Sequence, residues 1–378
     1  MREYYFARAL GERAELTHVF FSQAGARTPG AAELPFCRKI VPVPAPRFYT
    51  PGKIVRGLLG RQALPLVNYT SDGMKAALAA VMAAERFDLV HADSIHMAAY
   101  EPILRRGGAP VVYDWHNIES EAMRRYGANA PSAAHKVYAS VTARRLEALE
   151  KELLRSAAGH VVCSEREREK LLGIAPGARI ATIENGADAR FFRETPAGER
   201  RRILFVGSMS YHANIEAAVG FTRTAWPGIR ERFPGWRLTL AGADPAPAVL
   251  ALRAEANVEV TGTVEDIRPL YGEAIAAIVP LRTGGGTRLK ILEAMAAGVP
   301  VVSTPLGAEG LAVSPGVDIL IAEKDGDWLP QLAALSAQGD LWNRLAEAGR
   351  RLVTARYDWE ALGQALYETY CRWLWTPR

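Results

Sequence analysis

The sequence predicts an α/β protein built from two similar halves, each a parallel sheet wound by helices. Three observations lead there. Short apolar runs alternate with longer helical patterns from one end of the chain to the other, the rhythm of strand–helix–strand units rather than of hairpins. The chain has 378 residues, more than a single core usually organises. A polar, flexible stretch from Asn185-Gly186 through Gly198 to Arg202 divides it. The expected boundaries are residues 1–185 and 186–357, with a last helix over 358–378 packing back onto the first half.

In the first half the expected strands are Leu16–Ser22, Ile40–Val43, Leu89–Ala92, Val111–Asp114, His160–Cys163 and Arg179–Ile183. Helical stretches separate them. The longest, Lys136–Ser156, carries Leu146, Leu149 and Leu153 at helical spacing, a core stripe. Ser164 and Glu167 form a capping-box pattern that opens the next helix. In the second half the runs are Ile203–Gly207, Arg237–Gly242, Val258–Gly262, Ile275–Pro280, Val299–Thr304 and Ile319–Ala322, each closed by Gly, Pro or polar residues. Trp373 and Trp375 give the last helix an aromatic side that needs a packing surface.

Bulk properties narrow the function classes. Hydrophobic residues are 49% and charged residues 23%, with a net charge of +5. Basic doublets such as Arg105-Arg106 and Arg144-Arg145 are scattered and are not interleaved with aromatics, which argues against nucleic-acid binding. Cys37, Cys163 and Cys371 lie far apart and are odd in number, so neither a zinc motif nor a disulfide framework is indicated. No signal peptide and no membrane-length apolar run is visible, so a cytoplasmic location is expected. Arg47, Arg56 and Arg61, among the prolines of the Pro42–Pro65 loop, suggest at most a peripheral touch on the inner face of a membrane.

The most informative segment is Pro280–Thr304, PLRTGGGTRLKILEAMAAGVPVVST. A strand ends at Pro280, the glycines Gly284, Gly285 and Gly286 follow, and a helix begins near Thr287 and stops at Gly298. Glycines let backbone N–H groups approach an anion without a Cβ in the way. A helix start adds unpaired N–H groups and the positive end of a dipole. Arg282, Arg288 and Lys290 bring cations to the same stretch, and a diphosphate suits this combination. Glu293, two turns into the helix, is an odd neighbour for phosphate unless it binds neutral hydroxyls such as those of a ribose.

On these residues the chain resembles retaining glycosyltransferases of family 4, with the GT-B architecture of two facing Rossmann-like domains and a cleft between them. The resemblance extends over FVGSMSYHAN (Phe205–Asn214), GTVEDIRPLY (Gly262–Tyr271) and TIENGADARFF (Thr182–Phe192). It implies transfer of a sugar from a nucleotide-diphosphate donor to a glycan, lipid-linked or small-molecule hydroxyl, with retention. It further implies that Gly207 lets the backbone approach the nucleotide, that the loop at Val264 touches the base, and that Glu293 is the second of the family's paired glutamates. Gly285 stands where the first would be, and Ser208–Asn214 lacks the lysine that many members place there. Arg288 and Lys290 are then expected to neutralise the departing phosphate, with no metal and no cofactor. The family also begins with a strand and glycine-rich loop, whereas Met1–Arg13 here already reads as the following helix.

His116 follows the strand Val111–Tyr113 in the sequence Asp114-Trp115-His116-Asn117. The resemblance assigns it to the donor sugar, with Asp114, Glu119 and Glu121 as candidates for assisting the acceptor hydroxyl. His91, Asp93 and His96, and separately Asp325 and Asp327, imitate metal motifs without the right context. Two other readings remain open: a nucleotide-sugar epimerase, and a degenerate module that binds nucleotide sugars without catalysis.

Overall fold

Every one of the apolar runs read from the sequence forms a parallel strand in the computed structural model, which describes residues 1–22, 29–60, 62–128, 130, 132–283, 288–337 and 339–375. The chain divides into two units, Met1–Glu184 with Gly363–Arg378, and Asn185–Leu362. Among the described residues no helix is long and apolar enough to cross a membrane.

The first unit opens with the helix Arg2–Gly11, as read from Met1–Arg13. Strands β1 (Thr17–Ser22) and β2 (Lys39–Pro44) pair in parallel as a separate two-stranded sheet. Strands β3 (Val90–Asp93), β4 (Val111–Trp115), β5 (Gly159–Val162) and β6 (Ile180–Thr182) form a second parallel sheet in sequence order. All five residues of β4 and all four of β5 are buried, as expected of strands covered on both faces. Leu146 and Leu153 of the helix Ala133–Ser156 are fully buried, confirming the stripe. Ser164 Oγ accepts from the Glu167 N–H at 3.3 Å and starts the helix Glu165–Ile174. The closing helix, Trp359–Trp375, lays Trp373 against Gly159, where an added Cβ would sit 2.5 Å from the ring. That contact gives Trp373 the packing surface its apolarity requires; the Trp375 side chain lies outside the described residues.

The second unit holds one six-stranded parallel sheet. Its strands are β7 (Arg202–Val206), β8 (Arg237–Ala241), β9 (Val258–Gly262), β10 (Ala274–Val279), β11 (Val301–Ser303) and β12 (Leu320–Ile321), in the order β12-β11-β10-β7-β8-β9. The chain winds outward in one direction from β7 to β9, then starts again on the other side with β10. Ile203, Leu204, Leu238, Leu240, Ile278 and Val302 are buried beneath the flanking helices. The carboxyl ends of β7 and β8 approach very closely. Gly242 takes a φ of +150°, and a Cβ there would fall 1.7 Å from the Gly207 carbonyl oxygen. Only glycine is accommodated at that position.

Candidate functional site

In an open parallel sheet, ligands bind at the carboxyl ends of the two neighbouring strands where winding reverses. In the second unit those strands are β7 and β10. Strand β7 runs out into Gly207. A Cβ on Gly207 would lie 2.8 Å from both Lys290 Nζ and Asn214 Nδ2, so its absence leaves the backbone beside a cation. Strand β10 runs out into Pro280 and the glycine segment. Gly284, Gly285, Gly286 and Thr287 lie outside the described residues; Arg288 then stands at the position just before the helix Leu289–Ala296.

Lys290 reaches from that helix to the helix His212–Thr224. Its Nζ donates to Asn214 Oδ1 at 2.7 Å and stands 4.6 Å from the centre of the Phe205 ring. The Asn214 amide donates in turn to the Ser208 carbonyl at 2.8 Å, which ties the lysine to the loop after β7. Burial pulls the Lys290 ammonium down to about 7, and Arg288 adds repulsion while Glu293 opposes the shift. Burial also pushes Glu293 up to about 7 against the pull of Lys290. Desolvation penalises both charged forms. An empty site therefore holds its cation weakly, and an incoming polyanion restores the charge. A carboxyl group poised near neutrality is suited to hydroxyl groups.

Of the other residues expected in this unit, Arg288 acts on the Lys290 charge. Arg288 is 5% exposed and donates to the Leu306 carbonyl at 3.2 Å. Burial lowers its pKa, with Glu309 and Tyr211 acting the other way. Arg282 has a different partner from the one expected. It is exposed and ion-paired with Asp325, because the turn bearing that carboxylate stands beside the end of β10. Asp327 accepts from the N–H groups of Glu323 and Lys324 at 3.0 and 3.1 Å. The Asp325–Asp327 pattern is thus an ion pair and a cap. Val264 is half-buried in the loop after β9. Tyr271 is 1% exposed, and its hydroxyl has no hydrogen-bond partner among the described residues. A cavity of about 360 Å³ lined by Gly272, Gly298 and Trp342 lies at the amino end of β10, away from Lys290.

In the first unit, β3 and β4 are in register with Asp93 beside Asp114. His116, two residues beyond Asp114, turns back to Asp93, with Nε2 to Oδ1 at 2.7 Å. That hydrogen bond raises the His116 pKa against burial. Asp114 itself is corrected as an acceptor-side candidate. It is fully buried, and Arg2 grips it with two hydrogen bonds of 2.7 and 2.8 Å. Arg2 also donates to the Ile183 carbonyl at 2.9 Å, so this pair closes the carboxyl ends of β4 and β6. Glu121 pairs with Arg166 and Lys170 on the surface. Glu119 lies in the first turn of its helix, its pKa raised chiefly by burial. His91 Nδ1 meets the Tyr370 hydroxyl at 2.5 Å. His96 stacks on Tyr69 and is held down to about 4, first by burial.

Sequence reasoning did not assign Asn214 or Asp93 to their partners. The signal for Asp93 lay in the strand register, since parallel pairing of β3 with β4 sets Asp93 beside Asp114, two residues before His116. Asn214 had none, because its link to Lys290 spans two helices far apart in sequence.

Two family models match this chain. One, described as a glycosyl transferase 4-like domain, matches residues 4–186, and the other, described as glycosyl transferases group 1, matches residues 200–337. The glycogen synthase of Mycobacterium tuberculosis is 30% identical over 243 residues, which cover 60% of this chain and 57% of that protein. The chain therefore spans just over half the length of this curated relative. Among solved structures, sucrose-phosphate synthase from Thermosynechococcus elongatus is similar with a TM-score of 0.69 and 20% identity, over 97% of this chain and 91% of that one. Anabaena HepE in complex with UDP and glucose is similar with a TM-score of 0.64 and 15% identity, over 98% and 95%. Likeness at such identities establishes the fold.

Proposed function

This chain belongs to the glycosyltransferases, and on that premise we propose that it moves a sugar from a nucleoside-diphosphate donor to a hydroxyl of a glycan, lipid-linked or small-molecule acceptor, with retention. One observation carries the reading: Gly207, Asn214 and Lys290 meet at the winding reversal of the second unit, with Glu293 acting on the Lys290 charge. The similar HepE structures contain UDP or UDP-glucose, which favours a uridine donor.

In the proposed reaction the bond from the sugar's anomeric carbon to the β-phosphate oxygen breaks, and a bond to the acceptor oxygen forms on the same face. The acceptor proton passes to the departing phosphate. Lys290 and Arg288, with the start of the helix Leu289–Ala296, stabilise charge as it gathers on the leaving oxygen, the preorganised electrostatics that dominate many catalysed reactions. These cations take the place of a metal, and no cofactor is invoked. Arg282 and the backbone of Gly284, Gly285, Gly286 and Thr287 are assigned to the donor phosphates and sugar, Val264 to the base and Glu293 to the ribose hydroxyls. His116, oriented by Asp93, is assigned to the donor sugar. The reaction is placed in the cytoplasm.

The test is incubation of the full chain with a panel of nucleotide sugars, with and without acceptors. Release of nucleoside diphosphate that accelerates with one acceptor class supports transfer. An epimerised sugar without release, or donor affinity without turnover on any acceptor, refutes it.

A further inference from the structure

Two stretches of the first unit carry charge of one sign only. Residues 34–71 contain six Lys or Arg, among them Arg47, Lys53 and Arg56, and no carboxylate. Residues 122–146 contain five, among them Arg124, Lys136 and Arg144, again with no carboxylate. Arg38 and Lys39 pair with Glu85, and Arg124 pairs with Glu147, carboxylates outside the two stretches; the other eight cations still exceed the +5 of the whole chain.

The fold brings the stretches together. Arg145, in the helix Ala133–Ser156, donates to the carbonyls of Gly57 and Leu58 at the end of the helix Pro51–Leu59. Tyr138 of the longer helix lies close enough to Tyr49 and Tyr126 for their charges to act on its phenol. The helix Pro51–Leu59 is inverted relative to an ordinary surface helix. Its buried residue is Gly57, where an added Cβ would stand 2.6 Å from Leu64. Three of its four aliphatic residues face out instead: Val55 is 54% exposed, Leu58 48% and Leu59 84%, at positions i, i+3 and i+4. Tyr49 at 66% and Val137 at 64%, with Val141 one turn on, extend the apolar surface.

We infer that this face docks on the surface of an anionic lipid bilayer, with the apolar side chains entering the headgroup boundary and the cations meeting lipid phosphates. A dissolved polyanion would satisfy the cations but leave the leucines and valines without a partner. A second copy of the same face would set like charges against each other. A bilayer with acidic headgroups supplies both hydrocarbon and negative charge. The inference rests on the surface alone and is independent of the transfer chemistry.

The experiment is flotation of the full chain with vesicles of phosphatidylcholine alone and of phosphatidylcholine mixed with phosphatidylglycerol. Capture is expected on the acidic vesicles only, and it weakens with added salt. Leu58→Ser with Leu59→Ser lowers partitioning about tenfold through lost apolar burial. Arg56→Glu with Arg144→Glu lowers it by about tenfold or more through lost attraction to the surface. All four side chains are exposed, so the unfolding temperature stays at the wild-type value and serves as the folding control. Absence of capture on acidic vesicles at low salt overturns the inference. So does capture that the serine pair leaves unchanged and heparin competes away, which marks a site for dissolved polyanions.

Discussion

Replacing Lys290 by Met tests the phosphate cradle twice, once empty and once loaded. The ammonium falls from its ordinary 10.5 to about 7 in the folded protein, which at about 1.4 kcal/mol per pKa unit bounds the penalty of burying its charge near 5 kcal/mol. Residual solvent contact reduces that bound to roughly 1–3 kcal/mol. Because the folded pKa is depressed, the unfolded chain holds the extra proton between about 7 and 10.5. Stability therefore rises with pH across that window, and the penalty is fully present below it. Lys290→Met, close in shape, is expected to raise the unfolding temperature of the empty protein near pH 6, with the gain fading toward pH 10. The same change removes a charge-assisted hydrogen bond to phosphate and weakens nucleoside-diphosphate affinity by about 10- to 100-fold. Thermal unfolding with and without uridine diphosphate, across this pH range, reads both effects. A variant that is destabilised when empty at pH 6, or that keeps the full ligand-induced shift, refutes the reasoning.

Gly207→Ala places a methyl group 2.8 Å from Lys290 Nζ and Asn214 Nδ2; nucleoside-diphosphate affinity measured by calorimetry should fall at least about tenfold, for about 1–3 kcal/mol of lost stability. Glu293 is raised from 4.5 to about 7, so its contribution is present below about 4.5 and lost as pH climbs through 7; Glu293→Gln should flatten that part of the thermal-stability profile. Asp93→Asn should lower the His116 pKa, followed by NMR titration of its ring, because the hydrogen bond to Asp93 is the largest cause of its elevation. An unchanged titration would remove Asp93 as the positioning residue. Asp114→Ala takes the counter-charge from the buried Arg2 cation and should cost about 3–5 kcal/mol in denaturant unfolding, with part recovered when Arg2 is also replaced by Met.

Element existence was legible wherever a local pattern reported on burial. The fully buried β4 and β5 read as strands from apolar runs broken only by Asp114 and His160, and Ser164 announced the helix it caps. What stayed hidden depends on contacts between distant segments. The division of the first unit's strands into a pair and a quartet leaves no mark in β1 or β3 taken alone. Asp114 looked like a polar residue offered at a strand end, yet Arg2, 112 positions away, holds it inside the unit. That Arg282 pairs with Asp325, 43 positions away, is not visible in its own stretch of sequence. Lys290 and Glu293 were recognised as chemistry, but their matched displacement toward pH 7 arises from burial that spacing does not report.

The central claim is that the head of the helix Leu289–Ala296 and the end of β7 hold the diphosphate of an activated sugar. A crystal structure with a nucleoside-diphosphate sugar tests it directly. The account predicts a phosphate oxygen about 3 Å from Lys290 Nζ and close to the Gly207 backbone, with the ribose hydroxyls on Glu293. A nucleotide seated elsewhere in the second unit, with Lys290 still bonded only to Asn214, would contradict it.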